Sequence, residues 1–233
     1  MPSHVPLQQA YPSNAPDWGG LVTIGVNELR RAGVYGWYFG AVVAIAVIGA
    51  LLGDGALAAV VSLALLVASL YVAILLARHI MTGRLEAAPQ DGRAILRLLG
   101  VSLLLAFGIG IPVMVLALVV GAQGGLMWVV LIVAGLAMLY AGARLSFFLP
   151  ALALGDDTSI LKAYRQTEPY WVRIAGVLLA VFLAAAAVGL ILGALGLPAV
   201  VSGAITGALN AAAGIVGTAV ICYLYFNFAR GRA

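Results

Sequence analysis

Two histidines, one cysteine and eight carboxylates are the side chains of this 233-residue chain best suited to metal binding or to acid–base chemistry near neutral pH. His4 and His79 are far apart, and neither has a His, Cys or carboxylate at the helical spacing of a metal site. Cys222 stands alone in an apolar stretch, which excludes an internal disulfide and reads as a small packed hydrophobe. Leu52-Gly53-Asp54 and Leu154-Gly155-Asp156 resemble each other, but two carboxylates must share a proton to work as a protease pair. The spans derived below put them at opposite ends. Ser202-Gly203 has no histidine at its depth and lacks the first glycine of a rhomboid-type motif. Leu209-Asn210-Ala211 is not the Asn-Pro-Ala of a water channel, so Asn210 is expected to hydrogen-bond between helices. No catalytic, cofactor-binding or metal-ligating residue is assigned, and the chain is expected not to be an enzyme.

The elements that carry these residues follow from composition. The chain is 64% hydrophobic and only 9% charged, against about 25% charged residues in soluble domains. Charge that sparse cannot coat a water-facing core. Six apolar runs, 33–52, 56–77, 95–120, 126–149, 172–195 and 199–228, each approach the ~20 residues that cross a bilayer as helix. Short turns at Gly53-Asp54-Gly55, at 121–125 and at Gly196-Leu197-Pro198 join them in pairs. The expected architecture is therefore an all-α membrane protein, six transmembrane helices arranged as three tight hairpins. Residues 1–20 are expected to be a flexible arm, with 21–233 a single transmembrane domain. No cleavable signal peptide is expected, since the proline-rich arm lacks an apolar core.

All twelve Lys and Arg residues fall at the end opposite the short turns, and so does every acid except Asp54. The positive-inside rule places that end, and both termini, in the cytoplasm, as expected for a bacterial inner membrane. Aromatic residues gather at the same level: Tyr35 to Phe39, Tyr164 to Trp171 and Tyr223 to Phe228. A short basic segment precedes each hairpin (21–32, 90–99 and 157–168), and each is expected to lie in the interface as a helix. Glycine pairs at i, i+4 (36/40, 49/53, 121/125, 189/193 and 203/207) are weak signals in so glycine-rich a chain, and 121/125 falls in a turn. The small residues Ala184 to Ala187 and Ala211 to Ala213 predict close helix packing. Pro112 predicts a kink in the third run.

The densest polar chemistry lies in 142–176. Arg144 is deep enough to need a partner, and Asp156, Asp157 or Glu168 can supply one. Such a segment is either a headgroup pocket or, more simply, a salt-bridged elbow whose structural ion pair is built from Arg144, Asp156 and Glu168. Arg84, Arg93, Lys162, Arg165, Trp171 and Arg173 are the expected lipid-headgroup contacts on the basic face.

Arg144-Leu145-Ser146 and Leu149-Pro150-Ala151, followed by Ala163-Tyr164-Arg165-Gln166-Thr167 and Trp171-Val172-Arg173, resemble the membrane domain attached to some bacterial glycerophosphodiester phosphodiesterases, and their stand-alone relatives. The resemblance covers 142–176 and the hairpin layout, with Tyr164 in place of the usual Trp. The catalytic domain has no counterpart, so the resemblance implies a lipid-associated or organising module rather than an activity. Anionic membrane lipids, with a homo-oligomer or another membrane protein as further partner, are the expected ligands, and no nucleic acid or cofactor is. The competing expectation is a small transporter or lipid translocase, which requires a cavity between the helices.

Overall fold

A computed structural model describes residues 17–51, 56–86, 88–120 and 125–230. The turns 53–55 and 121–124, and the arm as far as residue 16, lie outside the described residues, and Arg232 with them. Within the described residues every regular element is helical. The elements are α1 (Trp18–Arg30), a 3-10 turn (Ala32–Tyr35), α2 (Gly36–Leu51), α3 (Ala56–Thr82), α4 (Asp91–Val120), α5 (Gly125–Leu145), α6 (Phe148–Leu154), α7 (Ile160–Gln166), α8 (Trp171–Ala194) and α9 (Ala199–Leu224). A π-helical turn, Tyr225–Ala229, follows α9. Six stretches are long and apolar enough to cross a bilayer: Gly33–Leu51, Val60–Thr82, Asp91–Leu116, Val129–Leu154, Trp171–Leu192 and Ala199–Ala229. The chain is a multi-pass membrane protein of helical hairpins, as its composition requires.

The long helices pack in a closed sequence. α2 touches α3, α3 touches α4, α4 touches α5, α5 touches α8, α8 touches α9, and α9 returns to α2. The α2–α9 contact is the most extensive, and glycine makes it possible. A Cβ on Gly207 would lie 2.8 Å from Val43 Cα, and one on Gly203 would lie 3.0 Å from Ala50 Cβ. Small residues let backbones approach where lipid supplies no hydrophobic drive between helices. The pair 203/207 does this, whereas a Cβ added to Gly36, Gly40, Gly49 or Gly189 would meet nothing within 4 Å. Ala211 is fully buried, as the small-residue pattern predicts. Ala184, Ala186 and Ala187 instead lie exposed, so these three make no tight contact.

The basic ends carry most of the core. Ile74, Leu76, Ala77 and Ile80 of α3, Phe147 before α6, Ala151 of α6, and Ile215 to Leu224 of α9 supply its centre. By contrast, Leu104, Phe107 and Met114 of α4, Ile132 and Leu136 of α5, and Phe182 and Leu190 of α8 are exposed. Nearer the turns the helices therefore offer their side chains to lipid.

The three interfacial segments depart from expectation, each in its own way. α1 is a separate helix, capped by the Asp17 carboxylate accepting from the Gly20 N–H at 2.8 Å, and so begins before residue 20. α7 is separate but short, with the Ser159 hydroxyl accepting from the Lys162 N–H at 3.2 Å. The middle segment is not separate, since 91–99 forms the first turns of α4. α4 also continues through Pro112 as one helix. α6 has no counterpart in the sequence reading: α5 ends at Leu145, before the fourth apolar run does, and the chain forms a further buried helix. Gly155, at φ +74°, stops it, with the Gly155 N–H donating to the Leu152 carbonyl and the Asp156 N–H to the Ala151 carbonyl.

Candidate functional site

Polar groups at the basic end form three clusters, each tying together segments distant in sequence. Arg78, near the end of α3, and Asp91, opening α4, are both buried. The guanidinium grips the carboxylate through both terminal nitrogens, one of them at 3.0 Å from Oδ2. Arg78 Nε donates to the Ala153 carbonyl of α6 at 2.9 Å, and NH1 also reaches the Glu86 carbonyl at 2.9 Å. Asp91 Oδ2 accepts from the Ala88 N–H at 2.9 Å. The pair thus fastens α3, the following loop, α4 and α6 with nearly every donor used. Sequence reasoning missed it. The available signal was two charges at the two boundaries of consecutive apolar runs.

Glu28 of α1 forms the second cluster. Its carboxylate is 1% exposed, accepts from the Tyr35 hydroxyl at 2.6 Å, and pairs with Arg31 at 3.1 Å. The Tyr35 ring meets His79 edge-on at 5.5 Å, and Trp37 meets His79 at 6.5 Å. The Cys222 thiol is buried and directed at the Ala77 carbonyl, the packed role expected of it. Gly25 lies so close to Val216 that α1 docks on α9 along this face.

The third cluster is the elbow of 142–176. Arg144 stacks its guanidinium on Tyr164, 3.7 Å from the ring centroid. The Tyr164 and Tyr140 hydroxyls are 2.8 Å apart, and Trp171 packs edge-on against Tyr140 at 5.3 Å. The bond to Tyr140 and the adjacent Arg144 hold the Tyr164 phenol below the usual tyrosine value. Thr167, fully buried, shares its hydroxyl among the carbonyls of Arg144, Ala163 and Tyr164, which locks α7 to the end of α5. Thr167→Val, nearly isosteric, is expected to cost about 1–3 kcal/mol by leaving the Arg144 carbonyl without this donor. Thermal unfolding in detergent measures it.

The expected ion pair among Arg144, Asp156 and Glu168 is not present. Within the described residues no carboxylate is bridged to Arg144, and its Nε is buried without a hydrogen bond. Asp156 instead accepts from the Tyr225 hydroxyl at 2.9 Å and pairs with Arg230 at 3.1 Å. The reason is α6. Its helical turns and the Gly155 reversal carry Asp156 away from α5 and toward the π turn after α9. Glu168 lies exposed past the end of α7.

The six expected headgroup residues do not form one site. Arg84 lines a cleft of about 580 Å³ with Thr82, Glu86 and Gln90. Arg93 and Arg97, one turn apart on α4, line an adjoining cleft of about 200 Å³ whose far wall is Asp156 and Asp157. Gln90 belongs to both clefts, and Arg97 is an addition to the residues expected there. Arg165 borders a separate cleft of about 250 Å³ beside Tyr170 and Phe228. Lys162 reaches back to the Asp157 carbonyl at 3.2 Å, Trp171 is engaged with Tyr140, and Arg173 is half-buried near the start of α8. Among the described residues, no group of three or more His, Cys, Asp or Glu side chains is placed to hold a metal ion.

Farther from the basic end, α4 and α5 enclose an apolar groove of about 490 Å³ around Pro112, lined by Gly108, Val113, Val129, Val133 and Ala137 among others. It offers side-chain hydrocarbon and no polar side chain. Comparisons with protein families, with curated proteins and with solved structures find no match to this chain.

Proposed function

We propose that this protein is a non-enzymatic module of a bacterial inner membrane, its basic end and both termini cytoplasmic, that binds anionic phospholipid headgroups in the paired clefts of Arg84, Arg93 and Arg97. The observation that carries this reading is how the carboxylates are used. Glu28, Asp91 and Asp156 are engaged with Arg31, Arg78 and Arg230, and Asp17 caps α1, while Glu86, Asp157 and Glu168 are exposed and, among the described residues, pair with no arginine. Arg84, Arg93 and Arg97 are exposed and hold no ion pair among the described residues. Arginines left over at the headgroup level attract anionic lipid by about 1 kcal/mol each and suit a phosphate geometrically. The groove at Pro112 offers no polar ligand to an ion or polar solute.

Native mass spectrometry of the purified protein with phosphatidylglycerol, cardiolipin or phosphatidylcholine provides the test. The anionic lipids are expected to be retained preferentially. Arg84→Gln, Arg93→Gln and Arg97→Gln together are expected to remove most of that preference, with a smaller loss from Lys162→Gln and Arg165→Gln. Equal retention of the zwitterionic lipid by the unaltered protein would refute the reading.

A further inference from the structure

Asn210 sits near the middle of α9, at the depth where surrounding side chains are apolar. The bond to a neighbouring helix of its own chain that the sequence leads one to expect is not made. Its side chain is exposed, and among the described residues its amide has no hydrogen-bond partner. Thr206, one turn earlier, is also exposed, and Ser202, a further turn earlier, is half-buried with its hydroxyl donating to the Ala199 carbonyl at 3.1 Å. Ser202, Thr206 and Asn210 therefore form a polar line along α9. The line lies beside, and not within, the Gly203–Gly207 contact with α2. An amide facing hydrocarbon with neither donor nor acceptor satisfied is strongly unfavourable, so this face calls for a polar occupant.

We infer that the occupant is a second copy of this chain, packed α9 against α9 in the same membrane orientation, with the two Asn210 amides bonded to each other. A side-chain amide both donates and accepts, so it is complementary to itself. Two-fold symmetry about the membrane normal sets the same residue at the same depth in both copies. No Lys, Arg, Asp or Glu lies anywhere in α9 to oppose the approach. Hydrogen bonding of this kind between membrane helices is a recognised source of association. The inference is independent of the headgroup reading.

The single native cysteine makes the test direct. In a Cys222→Ala background, Thr206→Cys and Asn210→Cys are oxidised in native membranes, alongside Ile132→Cys on the exposed face of α5. Covalent dimers are expected from positions 206 and 210 and not from 132. Without cysteine substitutions, Asn210→Leu is expected to lower the dimer fraction in native mass spectra at least several-fold while leaving the thermal transition of the monomer in place. Three outcomes would overturn the inference: absence of the 210 dimer, equal crosslinking at 132, or ready labelling of Asn210→Cys by a membrane-impermeant thiol reagent. The last would show that the polar line borders water instead.

Discussion

Arg78→Ala is expected to lower the unfolding free energy by about 3–5 kcal/mol, because it leaves the Asp91 carboxylate buried without its counter-charge. The exposure of both side chains supports the larger end of that range, at 8% each. Asp91→Ala is expected to do comparable damage from the other side, stranding a guanidinium that also serves the Ala153 and Glu86 carbonyls. The informative variant is the double replacement Arg78→Met with Asp91→Leu. Removing both charges recovers part of the loss, as replacing buried ion pairs with hydrocarbon often does. Recovery is expected to stop short of full stability, since those two carbonyls and the Ala88 N–H lose their partners. Thermal unfolding of the unaltered protein, Arg78→Met, Asp91→Leu and the double variant in one detergent gives the coupling energy as a double-mutant cycle. If the two single losses simply add in the double variant, the clamp assigned to this pair does not exist.

Gly207→Leu is expected to separate α2 from α9. Even the first carbon of the new side chain would fall 2.8 Å from Val43 Cα and 2.9 Å from Ala46 Cβ. One of those atoms is backbone and cannot turn aside, so the cost is expected to reach or exceed the ~1–3 kcal/mol of ordinary overpacking. Since α2 and α9 close the bundle, loss of a monodisperse profile on size exclusion is the expected readout. Gly135→Leu on α5 is the control. Nothing lies within 4 Å of a Cβ there, and the same substitution is expected to be tolerated. A Gly207 variant as stable as the Gly135 variant would mean that the two helices do not meet through this glycine.

The six spans are legible in the sequence because hydrocarbon imposes a length and a composition on any helix crossing it, and that requirement is written residue by residue. The basic end is legible for the same reason. The partners of single charges are not. Arg144 and Asp156 are close in sequence and opposite in sign, yet an additional helix and one left-handed glycine send Asp156 to Arg230 at the far end of the chain. Pairing depends on how helices are laid side by side, which in lipid leaves little hydropathy trace. Glycine spacing shows the same limit. Gly189 and Gly203 each open an i, i+4 pair in sequence, but Gly203 faces another helix and Gly189 meets nothing within 4 Å. Asn210 marks a different shortfall, because a polar residue on a span announces the need for a partner without saying whether that partner is in the same chain.

Burial along the helices is lopsided, and this has a mechanical consequence. α4 buries only Asp91, Ala94 and Val101 among its described residues, all toward its basic end, and its other described residues are half-buried or exposed. Resistance to local opening follows buried contact, so amide exchange should be slowest at the basic rim and quickest toward the opposite leaflet. α4, α5 and α8, held at one rim and lightly buried toward the other, can splay or tilt their free ends when the surrounding bilayer thickens or thins, while Gly203 and Gly207 keep α9 on α2. They would absorb that mismatch from one leaflet while the clefts in the other keep their shape.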